Sequence, residues 1–300
     1  GVTEDKGTGT PGSIDGLAGF AGADAEFRRL QQMVDVGVDP RVVLQSKAIE
    51  GFPKGPVFIL RVPRSWNGPH MVTKDGGTRF YVRRANGNVA MVRSEIQSAF
   101  LGAEEVPQRI RRLRDERLAR IVARETPAPM EGGAFYALHV VPLQATQRGS
   151  VVDVVSLKER NWMPRPIQAS GWFTRFNLDG VVSVAGGDGS SSSYAYTQVF
   201  RNGVVEAVAI DICGNDERHG RIFYPEVVEN GVLQILPIIF RMYREIKVDP
   251  PLVILLSVFG VGGAKIHAPR FHGSRPIDRD ALLLPDVLVD SLDATPSALM

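Results

Sequence analysis

The stretch PVFILRVPRSWNGPHMV at residues 56–72, with RFYVRRANGNVAM at 79–91 and EIQSAF at 95–100, decides how this chain is read. Val57 to Val62 has the apolar, β-branched character of a strand. Thr78 to Arg84 reads as a second strand. Side chains alternate along a strand, so Phe80 and Val82 share one face and Arg79, Tyr81 and Arg83 the other. Asn86-Gly87 marks a turn, and Val89 to Phe100 reads as a short helix. Arg61, Arg64, Trp66 and His70 crowd the loop between the strands. Such a mixture suits a polyanion better than a small neutral substrate.

Working outward, charge supports the same reading. The whole chain carries a net +2, but residues 56–124 hold 14 Lys+Arg against 6 Asp+Glu. Thirteen of those cations are arginine, with Lys74 the only lysine. A planar guanidinium grips phosphate oxygens with two parallel bonds, which an ammonium cannot copy. Glu104 to Arg124 reads as a second helix, with Pro107 in its first turn. Val106, Ile110, Leu113, Leu118 and Ile121 give it a partial apolar stripe. The competing reading is an arginine-rich surface that pairs with its own Glu104, Glu105, Asp115 and Glu116.

Upstream, a glycine-rich loop runs to about Gly22. Ala23 to Val36 then reads as a helix with Phe27, Leu30, Met33 and Val34 on one face, and Val42 to Ile49 as a strand. Thr126 to Gly133, with Pro127 and Pro129, is the expected linker. Beyond it Ala134 to Val141 is a strand, and four strands between Phe173 and Ile212 form a meander. Asp179-Gly180 and Asn202-Gly203 supply its tight turns. Gly186 to Ser193 is a low-complexity loop. Val227 to Lys247 is a helix that Pro237 should kink or break. Leu252 to Phe259 is a buried strand and Leu282 to Val289 another. The expected fold is therefore α/β of the α+β kind, with a first domain over 1–125, a linker over 126–133 and a mainly antiparallel α+β domain over 134–300.

Composition and motifs remove several classes. A single cysteine, Cys213, rules out a disulfide framework within the chain and fits a reducing, cytoplasmic setting. The longest apolar run, Leu252 to Phe259, is too short to span a bilayer, so no membrane partner is expected. Gly7, Gly9 and Gly12 match G-x-G-x-x-G, but Pro11 interrupts them and no helix start follows. There is no P-loop, which puts ATP last among the cofactor expectations. His267 and His272, or Cys213 and His219, lack the spacing of a zinc site. No G-x-S-x-G supports a hydrolase. Glu4 and Asp5 stand at the end of a short strand, where carboxylates can hold a divalent cation, although exposed loop acids are commoner.

Gly1-Val2-Thr3-Glu4, Arg61-Val62-Pro63-Arg64-Ser65, Pro69-His70, Phe80-Tyr81-Val82-Arg83 and Glu95-Ile96 resemble the bacterial Schlafen/AlbA-like family, whose members often bear helix-turn-helix or ATP-binding labels. Leu138 to Leu143, Tyr196 to Ala207 and the PPLVILLSVFGVGG block resemble the C-terminal region of its long members. The resemblance implies an AlbA-like nucleic-acid-binding domain of which this chain holds the latter part. It further implies metal-dependent endoribonuclease chemistry in defence or stress responses, with magnesium or manganese held by two upstream glutamates and an acid at the position of Glu4. Arg61, Arg64, His70, Arg79 and Arg83 would then hold phosphates and Tyr81 a base, RNA ahead of DNA. Relatives that pair two such lobes imply a homodimer. Two other readings stay open: a nucleotide-responsive transcriptional regulator, and a scaffold that assembles through its C-terminal domain.

Overall fold

A computed structural model describes residues 2–4, 10–19, 22–42, 44–62, 65, 68–84, 87–146, 149–186, 192–217, 220–267 and 275–298. The chain is α+β and divides into two units, Gly1–Glu105 and Val106–Met300.

In the first unit, β1 (Val2–Glu4) pairs antiparallel with β2 (Pro11–Ile14), so Gly12 belongs to a strand and not to the long loop expected there. The segment after β2 lies against residues 52–56. Leu17 N–H donates to the Pro56 carbonyl, and Lys54 pairs with Asp15 at 2.6 Å. Gly16, at φ +83°, is required there, since a Cβ would overlap the Gly55 carbonyl. Helix α1 (Ala23–Gly37) follows, and its Phe27 meets Phe58 edge-on. Then come β3 (Val38–Asp39), β4 (Gln45–Ile49) and β5 (Val57–Arg61). The last strands are β6 (Met71–Lys74), β7 (Gly77–Arg84) and β8 (Gly87–Ala90). They form one sheet of order β3-β6-β7-β8 and a separate β4-β5 ladder.

Helix α2 (Arg93–Val122) is continuous where two helices were expected. Residues 89–90 belong to β8, and Pro107 sits well inside the helix. A proline removes one N–H and strains one turn, and neighbouring hydrogen bonds and packing can carry the helix past it. Glu95, in the first turn, accepts from the Val92 N–H at 2.9 Å, half of a capping box. The division between units falls within α2, so its arginine-rich half, from Val106, belongs to the second unit.

The second unit is built on β9 (Phe135–Pro142), helix α3 (Val154–Glu159), β10 (Trp172–Phe176), β11 (Gly180–Ala185), β12 (Ala195–Phe200) and β13 (Val205–Ile210). A small ribbon, β14 (Cys213–Asp216) and β15 (Gly220–Phe223), precedes helix α4 (Pro225–Glu245) and strand β16 (Leu252–Phe259). Strands β17 (Lys265–Ile266), β18 (Ala281–Leu283) and β19 (Val287–Val289) complete it. The main sheet has order β10-β11-β12-β13-β9-β16-β18, with β19 on β16 as well. The meander is as expected, and its Asx turn is explicit: Asn177 Oδ1 accepts from the Asp179 and Gly180 N–H groups. The single strand expected over 282–289 is two short ones, each pairing with one end of β16.

Alternation gives the sheet two apolar faces. Tyr136, Leu138 and Val140 of β9 face α4, packing with Val232, Leu236 and Ile239. Ala137 and Val141 face the other way, in the clusters that take Leu118 and Ile110 of α2. Pro237 leaves α4 unbroken because it lies on the exposed side of the helix while residues on either side of it stay buried. Thr126 to Gly133, expected as a linker, is stitched into this unit: Ala128 is buried, Ser193 N–H donates to the Pro129 carbonyl, and Arg175 bonds Pro127. Among the described residues no helix is long and apolar enough to cross a membrane.

Candidate nucleic-acid interface

Strand β7 shows the alternation expected of it. Phe80 and Val82 are half-buried, and Phe80 meets Phe100 of α2 edge-on at 5.8 Å. Arg79, Tyr81 and Arg83 are exposed on the opposite face. Their partners across the ladders are Val72 for Arg79, Ala90 for Tyr81 and Asn88 for Arg83. No carboxylate therefore stands opposite either arginine. Arg83 lies 3.5 Å from Asn88 Oδ1, the outer limit of a hydrogen bond, and Arg79 has no polar partner among the described residues. The next arginine shows the contrast, because Arg84 is tied to Glu95. What β7 offers is a row of cation, aromatic, cation, with about 7 Å from each cation to the ring between them and about 14 Å from one arginine to the other along the strand.

The other expected residues are distributed differently. Arg61 is exposed on β5, in the separate β4-β5 ladder, with Gln45 Oε1 3.5 Å from its guanidinium. His70 is not part of an exposed phosphate site. Its Nδ1 lies 2.6 Å from the Pro40 carbonyl, to which it donates, and its Nε2 is buried. A histidine whose two nitrogens are both withdrawn from solvent holds chain against chain and offers no donor to an exposed phosphate. Arg64 and Trp66 fall outside the described residues, as do Gly7, Gly9, Asn86, His219 and His272. Glu4 closes β1 opposite Pro11. Among the described residues no three His, Cys, Asp or Glu side chains gather as a metal site.

The arginines of α2 divide sharply, in a way the sequence did not announce. Arg117 sits in the middle of the apolar stripe and reaches a fully buried carboxylate on β13. Its Nε and Nη2 donate to Glu206 Oε2 and Oε1, both at 2.8 Å. Two more side chains of the sheet converge there: Tyr196 donates its hydroxyl to Oε1 at 2.9 Å, and His139, directly opposite Glu206 in the β9-β13 pair, places Nε2 3.0 Å from Oε2. The guanidinium also lies 4.8 Å above the Phe200 ring. Burial would raise the Glu206 carboxyl, but Arg117 and His139 outweigh it and hold the group down to about 2. Arg114, one turn earlier and also buried, pairs with Asp286 at 3.2 Å, and Arg111 is 3.7 Å from the same carboxylate. These arginines fasten α2 within the second unit; they do not add to an anion-binding face. A lone glutamate in the apolar run VVEAVAI and a lone histidine in LHVV were the available signals.

A cavity of about 940 Å3 in the second unit lies between α4 and β18 and is lined chiefly by aliphatic side chains such as Val228, Leu256 and Leu282. Cys213 is half-buried and its thiol is raised by burial, the wrong direction for a nucleophile. His267 Nδ1 is engaged by Glu226 at 2.7 Å. Comparison with protein-family models, curated proteins and solved structures finds no match for this chain.

Proposed function

We propose that this protein binds nucleic acid through the exposed face of β7, RNA ahead of DNA, in an AlbA-like first domain. One observation carries the reading: Arg79, Tyr81 and Arg83 stand side by side on a solvent face, and among the described residues no carboxylate pairs with either arginine. Two guanidinium groups about 14 Å apart suit two separate backbone phosphates. An aromatic ring between them suits an unpaired base, where stacking contributes about 1–3 kcal/mol per base. Exposed bases are commoner in RNA loops than in duplex DNA, which favours RNA. Arg61 would extend the contact, and a homodimer would present two such rows. Strand β1 ending on Glu4 is what favours cleavage as a second reading, with that acid as one ligand of a divalent metal. Filter binding tests the first reading: tRNA should be retained with an affinity that falls steeply with salt, and the absence of any salt-dependent affinity for tRNA or duplex DNA would refute it. Cleavage is tested separately, by incubating labelled RNA with magnesium or manganese and then with a chelator.

A further inference from the structure

A second cavity of the second unit, about 420 Å3, has a composition unlike the first. Phe135 of β9 and Phe259 of β16 face each other across the ladder, with rings 5.3 Å apart and 4° from parallel. Both line the cavity, and Val208 and Ile210 of β13 continue the apolar surface. Its two charged residues are Arg124, just past the end of α2, and Asp280, just before β18. Both are exposed, and neither has an ion-pair partner among the described residues. Asp280 Oδ1 accepts from the Gly262 N–H at 3.2 Å, which leaves the other carboxylate oxygen available. Gly132 completes the wall at a place where a Cβ would press on Ile210 at 3.1 Å.

A cavity of this size falls in the range of small-molecule sites, which are mostly apolar with a few converging polar groups. Here the polar groups are one cation and one anion, and they fit a ligand that carries both charges beside a flat apolar body. A neutral aromatic compound would leave both charges unused. A nucleotide would bring two or more negative charges to a single arginine and a carboxylate. We propose that this cavity binds a free aromatic α-amino acid, with its ring against Phe135 and Phe259, its carboxylate on Arg124 and its ammonium on Asp280. The proposal is independent of the nucleic-acid reading, which concerns the first unit.

Calorimetric titration of the full chain with L-phenylalanine and L-tryptophan tests it, beside 3-phenylpropionate, 2-phenylethylamine and adenosine monophosphate. The amino acids should saturate one site and bind roughly tenfold or more tighter than either singly charged analogue, as expected for charge-assisted contacts. Asp280→Asn should reduce phenylalanine to the affinity of phenylpropionate, and Arg124→Gln to that of phenylethylamine. The ligand series on the unaltered protein does not depend on how the variants fold. Absence of saturable binding, analogues that bind as tightly as the amino acids, or tighter binding of the nucleotide would each overturn the proposal.

Discussion

Arg117 and Glu206 are each costly to bury and tolerable only together. Removing one partner of such a pair leaves an uncompensated charge in the core, at a cost of about 3–5 kcal/mol. Arg117→Ala should therefore lower the unfolding free energy in a urea titration by that much, whereas Arg117→Met with Glu206→Met should recover only part of the loss, because Tyr196 and His139 would then lie buried without their shared acceptor. The same pair sets an acid limit. The folded Glu206 carboxyl lies at about 2, below its ordinary value in an unfolded chain, so its contribution is complete above the ordinary carboxylate range and is lost as pH falls toward the folded value. Urea midpoints measured between about pH 5 and pH 2 should show roughly 3 kcal/mol of stability lost through this group, and Glu206→Gln should flatten that slope. A flat profile in the unaltered protein would contradict the assignment.

Among elements, α4 and α2 show how far sequence carries and where it stops. That α4 is a helix was legible, but the break expected at Pro237 does not occur. Its approach to the sheet was not legible, because it depends on Gly231: a Cβ there would stand 1.9 Å from the Tyr136 hydroxyl. Gly231→Ala should destabilise by about 1–3 kcal/mol through overpacking, despite the better helix propensity of alanine, and Tyr136→Phe should restore part of it. Helix α2 was misread as two because Pro107 is a strong local breaker, whereas its continuity is a tertiary fact. The long strands of the main sheet were legible since apolar runs and tight-turn pairs agree there, whereas the short strands β14, β15 and β17, and the division of 282–289 into two, were not. On β7 the period-2 alternation gave the exposed row directly. His70 was not legible, since its burial depends on Pro40, thirty residues away in sequence. Nor was the role of Arg117, which on helical spacing alone is one basic residue among seven.

At the scale of the whole molecule, the two units differ in how much they bury. Every large buried side chain among the described residues lies at or after Ile110, while Ile59 and Val62 of the first unit are 46% and 58% exposed. Limited proteolysis should therefore cut within residues 1–105 first and leave a core that begins near Val106, and that fragment should unfold cooperatively on its own. Loss of the second unit first would contradict this division of stability. The first unit, with little buried, devotes its β7 face to charge and aromatic surface, and the central claim rests there. The direct measurement is the affinity for tRNA as a function of salt, for the unaltered chain and for Arg79→Ala with Arg83→Ala. If β7 is the interface, the double variant should bind roughly tenfold or more weakly, and its log K against log salt slope should be shallower by about 1.5–2, one released counterion per lost phosphate contact. An unchanged slope and affinity in a folded double variant would contradict the account.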